Sequence, residues 1–140
     1  MKGVIFHTEP NNLSLWGDIA GIRNTLSKLV VDFYIVVDTH NIIPDWNDEV
    51  IESYRVSTFA DALTKLEEVH PECETVWFTS DATTELKDFD HPTNACYVMG
   101  ADSGGTSFTT PDHSVKIYGP NLFASIVLGI VLYDRMYMEY

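Results

Sequence analysis

The feature that most constrains this chain is a set of short β-favouring runs that are apolar without alternation. Phe33-Tyr34-Ile35-Val36-Val37 is the clearest, Gly3–His7, Thr75–Thr79 and Ala95–Met99 are similar, and Val115–Tyr118 is a fifth expected strand, interrupted by Lys116. A strand with one face in water alternates polar and apolar residues, so a continuous run predicts a strand covered on both faces. Between these runs lie segments of helical period. Leu15, Ile19, Ile22, Leu26 and Leu29 recur on one face of a helix from about Leu13 to Leu29, with Asn12 as its cap. Phe59, Ala62, Leu63 and Leu66 form a second such face, started by Ser57 or Thr58. A third helix is expected from about Asn121 to Met138.

Strands alternating with helices predict an α/β fold, a mainly parallel sheet of five or six strands flanked by helices. The stretch from 38 to 56 is mostly polar, with room for a short strand at Tyr54-Arg55-Val56 and an acidic cluster of Asp45, Asp48, Glu49 and Glu52 read as a solvated face. No linker, repeat or low-complexity tract interrupts the 140 residues, and the whole of 1–140 is expected to form a single domain. The run Leu122–Tyr133 is too short to cross a membrane, which takes about 20 apolar residues; it reads as a buried helix. No signal peptide is visible after Met1, and the expectation is a soluble, cytoplasmic protein without membrane contact.

Charge narrows the partners. Eight Lys and Arg face twenty-one Asp and Glu, a net charge of −13. Such a surface repels phosphate backbones and anionic membranes. Cys73 and Cys96 have neither metal-knuckle nor redox-pair spacing and are expected to be reduced core thiols. His7, His40, His70, His91 and His113 lack metal-ligand spacing, so no metal is expected. Asp38-Thr39-His40 is a candidate for one, and His7, at a strand end, is a candidate substrate contact.

In parallel sheets ligands bind beyond the carboxyl ends of strands. That rule selects the segments after His7, Met99 and Tyr118. The second is Gly100-Ala101-Asp102-Ser103-Gly104-Gly105, where glycines admit positive φ and close approach of a flat ligand. Asp102 adds an acceptor, or closes an Asx-turn.

The order Gly-x-acid-x-x-Gly loop, short strand, then turn into a long apolar helix resembles the SpoU/TrmH branch of the SPOUT methyltransferases. Gly100, Asp102 and Gly105 fall on that family's Gly-x-Glu-x-x-Gly motif, Val115–Tyr118 on its Ile-Pro strand, and Asn121-Leu122-Phe123 on its Ser-Leu-Asn. Arg23, in Asp18–Arg23, aligns with the arginine of the first helix. The resemblance implies a SPOUT-like fold with a C-terminal trefoil knot, S-adenosyl-L-methionine (AdoMet) as cofactor, and a homodimer. It implies a cofactor site of Met99, Gly100, Asp102, Gly105, Ile117, Tyr118, Gly119 and Leu122. Asn12, Asn121 and Ser125 would contact substrate, and Arg23 would be catalytic. The implied activity is methyl transfer to RNA at a ribose 2′-hydroxyl.

The chain departs from the pattern at Phe123, where the family has Asn, and at Gly17 and Ile19, where it has Asn and Gly. The connection from Tyr118 to Leu122 is also short. With the acidic charge, these departures support an alternative: a SPOUT-like binding or interaction module that has lost methyl transfer. An unrelated nucleotide-binding α/β domain with an unknotted sheet is a third reading. The tail Tyr133, Met136, Tyr137, Met138, Tyr140 carries interface-favoured residue types, so the last helix is the expected dimer surface.

Overall fold

The computed structural model describes residues 1–7, 31–39, 51–78, 82–99, 111–117 and 124–139. In chain order these form β1 (Lys2–His7), β2 (Phe33–Val37), β3 (Glu52–Val56), α1 (Phe59–Val69), β4 (Glu74–Phe78), β5 (Thr84–Glu85), a 3-10 turn (Leu86–Asp88), β6 (Ala95–Met99), β7 (His113–Lys116) and α2 (Ala124–Glu139). The helix expected over 13–29 lies outside the described residues.

All the strand pairs are parallel, in the order β3-β2-β1-β6-β4-β7-β5. The continuous apolar runs are explained by two separate cores. Val4 and Phe6 of β1, Tyr34 and Val36 of β2, and Ala95 and Tyr97 of β6 point to one face, where Leu128, Val131 and Leu132 of α2 cover them. Ile5, Phe33, Ile35, Val37, Cys96 and Val98 point to the other, under Phe59, Ala62 and Leu66 of α1. Because successive strand residues face opposite sides, a strand buried on both has no polar position to spare. Fully burying each such side chain is worth about 1.5–3 kcal/mol.

Helix α1 starts where its cap chemistry dictates. Thr58, in extended conformation (φ −138°, ψ 160°), accepts a hydrogen bond at Oγ1 from the Asp61 amide, 3.0 Å away. At the other end the His70 amide donates to the Leu66 carbonyl. The His70 ring stacks on Phe33 and meets Glu52 at 2.6 Å, so Glu52 braces a histidine in addition to facing solvent. Asp45, Asp48 and Glu49 of that acidic cluster lie outside the described residues.

Three expectations need correction. Among the described residues the sheet has seven strands rather than five or six, because β5 is a two-residue strand made only by pairing Thr84 and Glu85 with Val115 and Lys116. The strand expected at Val115–Tyr118 is His113–Lys116. Its start is set by reciprocal bonds at its entry: Thr75 donates from its amide to Asp112 (2.8 Å), and the Asp112 amide donates to Thr75 Oγ1 (3.1 Å). Ladder pairing uses backbone groups, so the polar His113 and Ser114 join as readily as Val115. Finally, the last helix is not buried all round. Leu128, Val131 and Leu132 are buried, but Ile130, Tyr133 and Tyr137 are 40%, 65% and 72% exposed, because α2 forms an outer layer with one side to solvent. Among the described residues, no helix is long and apolar enough to cross a membrane.

Candidate functional site

Parallel pairing puts every strand's carboxyl end on one edge. At that edge the chain leaves β1 toward β2 on one side, while β6 leads to β7 on the other, beyond β4. The two neighbours β1 and β6 therefore flank a switch point in the strand order, the place where open parallel sheets bind ligands. Phe6 pairs with Met99 at its rim.

Of the candidate site residues, three fall among the described ones. Met99 ends β6 at the switch point. Ile117 follows β7 directly, half-buried against the core under α2. Ser125 is the second residue of α2. The ends of β6 and β7 are separated by β4, about 10 Å across two strand spacings. Arg23, Asn12, Gly100, Asp102, Gly105, Tyr118, Gly119, Asn121 and Leu122 lie outside the described residues, as do the loops 100–110 and 118–123 of the C-terminal third, where the trefoil knot is expected. His7 ends β1 at this edge, and His40 lies outside the described residues.

Sequence reasoning missed the ionic structure of this edge. Asp38, directly after β2, is buried and meets Arg55 of β3 at 3.3 Å. Its amide donates to the Val56 carbonyl, which extends the β2–β3 ladder by one bond. Of the Asp38-Thr39-His40 candidate, Asp38 thus faces Arg55, and His40 lies outside the described residues. No three His, Cys, Asp or Glu side chains gather as a metal site among the described residues. Near the end of β4, Trp77 is buried and its indole N–H has no hydrogen-bond partner among the described residues.

The thiols do not serve the edge. Cys96, inside β6, is buried, and desolvation followed by the nearby Cys73 raises its pKa well above the usual thiol value. Cys73, half-buried before β4, is pushed up to about 11, first by burial and then by Glu72. Both are free, and both are neutral thiols at neutral pH. A hollow of about 430 Å³ opens at the opposite, amino edge of β7, lined by Asp88, Asp90, Asp112 and His113. Its carboxylates make it unsuited to a phosphate or other anion.

No protein-family model matches this chain, and no curated protein matches its sequence. Solved structures do match its shape. The SpoU methyltransferase AviRb from Streptomyces viridochromogenes, in complex with AdoMet, superposes with a TM-score of 0.72 at 19% identity, over 98% of this chain and 57% of its own. The fold is that of the SpoU/TrmH methyltransferases. The A. aeolicus TrmH/SpoU tRNA modifying enzyme gives 0.72 at 17% identity, over 99% of this chain and 76% of its own. An RNA 2′-O ribose methyltransferase gives 0.69 at 10%, over 97% and 56%. The chain thus spans less than two thirds of AviRb. The SpoU/TrmH fold was expected from the Gly100–Gly105 loop and the elements that follow it. The parallel sheet and the terminal helix on one face bear that expectation out.

Proposed function

We propose that this chain is an AdoMet-dependent RNA methyltransferase that modifies a ribose 2′-hydroxyl, built as one domain over residues 1–140 and working in the cytoplasm as a homodimer. The observation that carries the reading is the fold likeness over 98% of the chain to a protein solved with AdoMet. The switch point between β1 and β6 supports it. A flat, partly apolar cofactor suits an edge whose rim holds Met99 and whose neighbour Ile117 is apolar, with a glycine loop next in sequence.

Met99, Gly100, Asp102, Gly105, Ile117, Tyr118, Gly119 and Leu122 would hold the cofactor. When bound, AdoMet supplies a methyl group on a sulfonium. The protein's part is to bring the hydroxyl into line and ease loss of its proton. Arg23 serves that step: its planar fork grips ribose or phosphate oxygens and its charge favours the developing alkoxide. Asn12, Asn121 and Ser125 orient the substrate.

The test is calorimetric titration of AdoMet into the protein, followed by methyl transfer to RNA. Arg23→Ala should abolish transfer while leaving AdoMet affinity within about threefold, since one lost substrate contact costs the cofactor little. Full activity in that variant would remove Arg23 from the site. The second reading, a module that has lost catalysis, is favoured by the net charge of −13 and by Phe123 at the helix start. It is identified by AdoMet binding without transfer to any RNA. Under either reading the charge opposes RNA, so the isolated protein should bind it at micromolar affinity or weaker, and a basic partner or very small substrate is needed.

A further inference from the structure

A set of buried polar groups joins the last helix to β6 away from the carboxyl edge. Arg135 of α2 is only 5% exposed. Its Nη1 donates to the Pro92 carbonyl (3.0 Å) and to the Tyr97 hydroxyl (3.2 Å), and its Nη2 donates to the Thr93 carbonyl (2.7 Å). The Tyr97 oxygen also lies 2.7 Å from Nδ1 of His91, whose Nε2 lies 2.7 Å from the Asp134 carboxylate. An arginine only donates and a carboxylate only accepts. Arg135 therefore donates to Tyr97 and His91 donates from Nε2 to Asp134, with one further hydrogen bond shared between the Tyr97 hydroxyl and Nδ1 of His91.

The attachment is at one end of the helix. Arg135 grips residues that precede β6, so the carboxyl half of α2 lies by that strand's amino end, and a helix laid along the strand from there runs antiparallel to it. From Arg135 back to Ala124 the helix rises about 16 Å, at 1.5 Å per residue. From Thr93 to Met99 the strand advances about 20 Å, at 3.3 Å per residue. The first turn of α2 thus comes nearly level with the end of β6. A rotation or slide of the helix at Arg135 is carried to Ser125, because a packed helix moves as a rigid rod.

We infer that Arg135, Tyr97, His91 and Asp134 form a clamp that positions the first turn of α2 against the carboxyl end of β6. They are positioning residues: they act through the helix and through Met99. For its ligand readout the inference rests on the AdoMet reading above. Apolar contacts of Leu128, Val131 and Leu132 hold α2 on the sheet, but they are non-directional and tolerate sliding. The hydrogen-bonded chain tolerates much less, since its bonds weaken steeply with angle.

The test uses Tyr97→Phe, which removes one oxygen and keeps the ring beside Phe78, together with Arg135→Lys. The control is Thr58→Ala, which removes the cap of α1 on the opposite face. Two quantities are read at a temperature where all variants are folded: AdoMet affinity, and amide hydrogen exchange over residues 124–128. Both clamp variants should lose at least about tenfold in affinity, the scale on which small misplacements act. Exchange at 124–128 should accelerate about tenfold in both, while the control changes neither. Should Arg135→Lys fail to fold, Tyr97→Phe decides alone. Normal affinity in Tyr97→Phe, with faster exchange confined to 132–139, would reduce the clamp to a local structural contact and overturn the inference. Failure of the wild-type protein to bind AdoMet would instead overturn the cofactor reading, and exchange at 124–128 would then decide the positioning claim.

Discussion

Arg55 reaches across from β3 to Asp38, its guanidinium 3.3 Å from a carboxylate that is fully buried, and so ties together the carboxyl ends of β2 and β3. A buried charge that loses its nearest counter-charge retains its desolvation cost without the compensating attraction. Arg55→Met should therefore lower the unfolding free energy by about 1–3 kcal/mol. The lower part of the full range applies because the Arg55 side chain is 30% exposed and water screens the pair. Urea denaturation measures it, and an unchanged midpoint would show that other partners carry Asp38.

Gly3 owes its place to a ring. It pairs with Phe33 in the β1–β2 ladder, and a Cβ there would fall 2.0 Å from the Phe33 ring. That ring is buried and stacked on His70, with centroids 4.2 Å apart, and His70 is in turn held by Glu52. With nowhere for the ring to go, Gly3→Ala should cost about 1–3 kcal/mol as overpacking. Adding Phe33→Leu should cost less in Gly3→Ala than in the wild type, which a double-mutant cycle by urea denaturation detects.

Cys73 should be slow toward thiol reagents. With its pKa pushed up to about 11 from 9.0, its thiolate fraction at pH 8 is about a hundredfold smaller than that of an ordinary exposed cysteine. Reaction with a disulfide reagent should slow in proportion, and Cys96 should react only on unfolding. The raised value also sets a sign for stability. The fold favours the neutral thiol, so its contribution is complete below pH 9 and is lost as pH rises through about 11. Cys73→Ala should flatten the decline of melting temperature over that window. An equally steep decline in the variant would assign it to other groups.

Ile130, Tyr133 and Tyr137 present an apolar stripe on the solvent side of α2. If a second copy covers it, Tyr133→Glu with Tyr137→Glu should convert a dimer to a monomer at about tens of micromolar, where a specific interface of standard size holds. The monomer's own fold should persist, because neither tyrosine is part of the core. Sedimentation of the wild-type chain as a monomer at that concentration would refute the assembly.

The sequence by itself determined where β1, β2, β4 and β6 lie, that both their faces are covered, and that α1 begins at its Ser57-Thr58 cap. These are local properties: period, β-branching and a side-chain oxygen one turn from an amide. The last helix was legible in the same way, and the glycine-rich segment, the strand and the helix within residues 100–133 are what made the SpoU/TrmH fold an expectation. Tertiary structure decided what depends on residues distant in the chain. The strand order, the two-residue β5 and the start of β7 follow from which backbone edges meet, and no local pattern reports that. Tyr133 and Tyr137 were legible as surface residues of the tail, whereas Ile130 was hidden in an apolar run and only the position of α2 as an outer layer exposes it. The Asp38–Arg55 pair and the clamp on Tyr97 were invisible for the same reason. His91 and Asp134 are 43 residues apart, and Tyr97 and Arg135 are 38. Only the packing of α2 on β6 brings their donors and acceptors within bonding distance.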